Sequence, residues 1–173
     1  MKRYASKKFL AILVAPAILL SFAVMPEKSK FEGSWKLNES KSELGDFGGR
    51  FAPRKIKVEQ KDDAITIAKT TPGFNDGPDV VRTETLTFDG KTVESTNEGG
   101  FGKSKRKATI KWSADEKSFV ITQNTTFDGQ NGTVEISGTE TWTLSADGKI
   151  LTAETHNTSP QGEFTMKAVY DKE

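Results

Sequence analysis

From Ser34 onward the chain alternates polar and apolar residues with a period of two, the spacing that puts one face of a β-strand on a core and the other in water. The alternation predicts ten strands: Ser34–Leu37, Arg54–Gln60, Ala64–Thr70, Val80–Phe88, Thr92–Thr96, Ser104–Trp112, Ser118–Phe127, Thr133–Leu144, Ile150–Asn157 and Phe164–Tyr170. Their Thr, Val, Ile and aromatic content suits a pleated, half-buried surface. Asp89-Gly90, Asp128-Gly129 and Asp147-Gly148 place a glycine where a tight hairpin needs positive φ, and Ser113–Lys117 reads as a slightly longer turn. Strands joined so closely are antiparallel neighbours, because a parallel crossover needs a dozen residues or more. The expected fold is all-β, an up-and-down antiparallel β-barrel of about 8–10 strands, since closure removes exposed edges. An open two-layer sandwich is the alternative.

Two segments interrupt the rhythm. Asn38–Pro53 turns glycine-rich at Gly45, Gly48 and Gly49, and only Glu39–Leu44 has the make-up of a helical turn. Thr71–Pro78 carries a lone aromatic, Phe74. Long loops on a tight meander read as rims or lids.

Before the strands lie Lys2, Arg3, Lys7 and Lys8, an apolar run from Phe9 to Met25, and the small-x-small triplet Ser21-Phe22-Ala23. This reads as a signal peptide over residues 1–23, cleaved after Ala23, followed by a flexible lead over 24–32 and a domain over 33–173. An uncleaved anchor is the alternative, against which stand Pro16 and the shortness of the run. Removing 1–23 takes away four basic residues and no acid, leaving 21 basic against 24 acidic. A mildly acidic domain of mixed signs has no footprint for nucleic acid. The chain has no cysteine, so its core alone must hold it together. Export without disulfides suits a bacterial periplasm or bacterial secretion. No stable membrane insertion is expected after cleavage, and a monomer is.

The period of two also assigns faces. Leu86 and Phe88 share theirs with Arg82 and Glu84; Ala108, Ile110 and Trp112 with Ser104 and Arg106; Phe119, Ile121 and Phe127 with Gln123 and Thr125. Val134, Ile136, Trp142 and Leu144 share theirs with Gly138 and Glu140, and Phe164, Met166, Ala168 and Tyr170 form the last inner face. Several strands therefore have an apolar inner end and a polar one. Buried charges must pair, bind water or meet a ligand. One reading is a hydrated salt-bridge network at the barrel mouth. The other is a ligand cavity in which Arg82 or Arg106 grips a carboxylate, with Glu84, Gln123 and Glu140 nearby and Leu86, Ile110, Ile121, Trp142 and Tyr170 around an apolar tail.

Gly33-Ser34-Trp35-Lys36-Leu37-Asn38, with Lys41 and Ser42, on the first strand of a meander this long, resembles the lipocalin and calycin group, including fatty-acid-binding proteins. The match is nearest in style to the bacterial lipocalin-like set of small exported domains. The resemblance implies a barrel whose Trp35 closes the base, packed on an arginine after the last strand. Here that region reads Tyr170-Asp171-Lys172-Glu173, without arginine, and the Thr-Asp-Tyr motif and disulfides of lipocalins are absent. Lys167-Ala168-Val169-Tyr170 keeps the tyrosine but not the arginine of the fatty-acid-binding Arg-x-Tyr. The resemblance carries the fold and no particular ligand.

No catalytic motif emerges, so no enzyme activity, cofactor or metal is expected. His156 is the only histidine and falls on the face opposite Leu151 and Ala153. A glycosidase-like pair of Glu84 and Glu140 is more simply two salt-bridge partners. The expected function is an exported protein holding a small apolar or amphipathic molecule, a carboxylate among the candidate heads. The alternative is an envelope interaction module with a filled barrel, using the loop aromatics Phe47, Phe51 and Phe74.

Overall fold

A computed structural model describes residues 28–73, 77–99, 102–129 and 132–173. The expected signal peptide over 1–23 and Phe74 lie outside the described residues. Ten strands form one antiparallel sheet: β1 (Gly33–Leu37), β2 (Lys55–Gln60), β3 (Ala64–Thr71), β4 (Val80–Thr87), β5 (Val93–Gly99), β6 (Gly102–Trp112), β7 (Ser118–Gly129), β8 (Gly132–Leu144), β9 (Ile150–Ser159) and β10 (Gly162–Lys172). Their order is β4-β3-β2-β1-β10-β9-β8-β7-β6-β5. Every consecutive pair but one is a ladder, and β1 closes on β10 with Trp35 opposite Lys172. The exception is a seam between β4 and β5, the two edges of the sheet. The result is an all-β, nearly closed barrel, as the alternation predicts.

One half of the barrel is packed solid. Phe31, Trp35, Ile65, Leu86, Ile110, Phe119, Ile121, Trp142, Leu151 and Tyr170 are fully buried there. The turns at this closed end share one solution. Asp89, Asp115 and Asp147 each accept the backbone N–H two residues on, at 3.0–3.1 Å, and a neighbouring hydroxyl at 2.6 Å. Asp128-Gly129, expected as a turn, instead belongs to β7, because pairing continues to Gly129 opposite Gly132.

The first-strand motif has a physical basis. Trp35 donates its indole N–H to the Phe31 carbonyl at 2.9 Å, and the Lys172 ammonium lies 5.1 Å from the Trp35 ring centre. Gly33 has φ +135°, and a Cβ there would collide with the Lys172 side chain. The cation that the resemblance places on this tryptophan is therefore a lysine. Residues 28–32 correct the expected flexible lead. The Phe31 N–H donates to the Gln60 side-chain oxygen at 2.8 Å, and its ring packs 4.6 Å from Phe119, so this stretch plugs the closed end.

A second correction concerns Asn38–Pro53. Beyond a 3-10 turn at Glu39–Lys41 it holds a helix, α1 (Gly45–Phe51), which glycine content argued against. Packing overrides propensity here. A Cβ at Gly48 would crowd Leu44 and the Met166 sulfur, so glycine lets α1 sit close on β10. The helix places Phe51 beside the open end.

Candidate functional site

The other half of the barrel is a chamber of about 330 Å³, within the range of small-molecule sites. Five of the ten expected site residues line it: Arg82, Glu84, Arg106, Gln123 and Glu140. The other five do not. Leu86, Ile110, Ile121, Trp142 and Tyr170 are at most 1% exposed and belong to the packed half. The apolar tail cavity expected there is filled by their own side chains and by Phe31 from the lead. Apolar contacts at the chamber come instead from Phe51, Pro53, Phe127, Phe164 and Met166.

The polar wall is a set of pairs. Arg106 on β6 donates through Nη1 to Glu84 on β4, and through Nε and Nη2 to the Gln123 side-chain oxygen at 3.0 and 2.8 Å. Gln123 in turn donates to Asn157 Oδ1 at 3.2 Å. This chain of bonds runs from β9 to β4 and ties β6 to β4 beside the seam, where no backbone ladder does so. Each guanidinium nitrogen of Arg106 therefore donates to a protein acceptor.

The second pair contains a residue that sequence reasoning missed. Lys69 Nζ donates to both oxygens of Glu140 at 2.8 and 2.6 Å and lies 5.5 Å from the Trp142 ring centre. Trp142 Nε1 also donates to Glu140 at 2.8 Å. Burial acts to raise the Glu140 pKa, but the Lys69 charge and hydrogen bonds, the Trp142 N–H and the Arg106 charge outweigh it. The carboxyl is held below the ordinary glutamate range, so it is ionised at neutral pH. Lys69 has the same parity as the inward Ile65 and Ile67, so the period of two alone marks it. Lysine's usual place in water argues the other way. Tyr170 shows the matching effect: burial, then the Glu140 charge, push its phenol pKa up.

Arg82 differs from the other cations. It stands exposed at the chamber wall, and among the described residues no acceptor pairs with it. Glu84 and Glu140 each carry a basic partner, Arg106 and Lys69 respectively. His156 is exposed on the outer face of β9. Among the described residues no three His, Cys, Asp or Glu cluster as metal ligands.

No family model matches the chain, and no curated protein matches it. Among solved structures it is similar to a zebrafish ileal bile acid-binding protein complexed with cholic acid, at 18% identity and a TM-score of 0.47, over 83% of this chain and 98% of that one.

Proposed function

We propose that this is an exported, monomeric binding protein that holds a small amphipathic anion in the mouth-side chamber. The observation that carries the reading is the charge imbalance of the wall. Lys69 and Arg106 are matched by Glu140 and Glu84, and among the described residues no acid pairs with Arg82. An arginine fork at the chamber wall suits a carboxylate or similar head. The apolar part of the ligand then lies toward Phe51, Phe127 and Phe164, the reverse of a tail buried in the closed half. Export rests on the basic head, apolar run and Ala23 of the first 23 residues, and the cysteine-free composition suits the periplasm.

A second reading, an envelope interaction module, draws on the packed closed half and on Phe51 and Val81, which are 56% and 62% exposed. A charged chamber of ligand size favours the first. The test is titration with 1-anilinonaphthalene-8-sulfonate, an anionic amphiphile, followed by tryptophan quenching. One site is expected, weakened about fivefold by Arg82→Met. No binding, or binding that ignores Arg82→Met, leaves the interaction module.

A further inference from the structure

The chamber wall holds polar groups that a simple fatty acid cannot use. Thr155 lines the chamber at 7% exposure, and its hydroxyl has no hydrogen-bond partner among the described residues. Thr125 and Ser95 line it too, again without a side-chain partner among the described residues. Asn157 accepts from Gln123, while its amide N–H groups donate to no described residue. Strand register makes these groups contiguous: Glu140 faces Thr155, Gln123 and Asn157 flank Gly138, and Ser95 and Thr125 flank Arg106.

Gly138 shows how the arrangement is kept. A Cβ there would collide with the Asn157 side-chain oxygen and the His156 carbonyl, so its absence lets the Asn157 amide lie across β8 toward Gln123. The Thr155 hydroxyl opens into the chamber rather than onto a protein acceptor, and valine would fill the same space on a strand. Threonine at 155 thus offers a donor and an acceptor to whatever enters the chamber.

Resting on the anion-binding reading above, we propose that the part of the ligand inside the chamber is a compact ring bearing several hydroxyls. The ligand class is a hydroxylated, sugar-type acid with an apolar substituent, not a plain fatty acid. An acyl chain offers no hydrogen-bonding group to Thr155, Thr125 or Asn157.

Three probes separate the features: octyl β-D-glucuronide has the acid and the hydroxyls, octyl β-D-glucoside the hydroxyls alone, and decanoate the acid alone. Calorimetric titration of the protein below the micelle concentration of each is expected to rank the glucuronide about tenfold tighter than either of the others. Thr155→Val, nearly isosteric, is expected to weaken both glycosides about tenfold and to leave decanoate unchanged. Thr125→Val provides a second variant should Thr155→Val fold poorly, with the same pattern expected. If decanoate binds as tightly as the glucuronide, or the valine variants leave glycoside binding unchanged, the hydroxyl inference is overturned while the anion reading stands. Equal binding of the two glycosides, both above decanoate, would keep the hydroxyls and overturn the anion. If no probe binds, both fall.

Discussion

Replacing Trp35 with alanine is expected to destabilise the protein by about 3–5 kcal/mol, the range for truncating a fully buried aromatic. Trp35 is 0% exposed where β1 closes on β10. Its loss removes three things at once: the ring volume between the first and last strands, the 2.9 Å bond that fastens Phe31, and the surface under the Lys172 ammonium. Since Phe31 plugs the closed end, the cavity would spread to the Phe119 contact. Urea unfolding followed by far-UV circular dichroism measures this directly. A loss of less than about half a kcal/mol would show that the barrel is not anchored at this motif.

Lys69→Met should have the next largest effect, about 3 kcal/mol, because it strands the Glu140 carboxylate in a nearly buried site. The side chains of Lys69 and Glu140 are 20% and 10% exposed, so solvent screening offers little relief. Among the described residues only the Trp142 N–H would remain as a hydrogen-bonded partner of Glu140. The double variant Lys69→Met/Glu140→Met is expected to recover most of the loss, since it removes both charges together. The pH dependence has a definite sign. Glu140 has a lowered pKa in the folded protein, so its contribution is present above the ordinary glutamate range and is lost as pH falls through the native value. Without Lys69, burial would dominate and raise that pKa. The deficit of Lys69→Met relative to wild type should therefore shrink in acid, where both forms hold a protonated glutamate. A deficit that does not change with pH would mean that lost packing, not the pair, carries the effect.

The strand order was legible because period-two alternation and short turns leave an antiparallel meander almost no other course. The same alternation placed Arg82, Glu84, Arg106, Gln123 and Glu140 on the inner face, where all five line the chamber. It could not tell an empty half from a filled one. Leu86, Ile110, Ile121, Trp142 and Tyr170 point inward as expected, but whether inward side chains meet across a barrel depends on its diameter and on their reach. Phe31 completes the packing from a stretch with no strand pattern. The α1 helix was hidden for a different reason: Gly45, Gly48 and Gly49 weaken a helix taken alone, while Gly48 is what allows this one to dock on Met166.

The most direct test of a packed closed half beneath a polar chamber is to locate a bound amphipathic anion by isotope-filtered NMR. The expected result is intermolecular contacts to Thr125, Thr155, Phe127 and Phe164, and none to Ile110, Ile121, Leu86 or Leu151. Contacts to that second set would show that the closed half opens to receive a ligand, and would contradict the account.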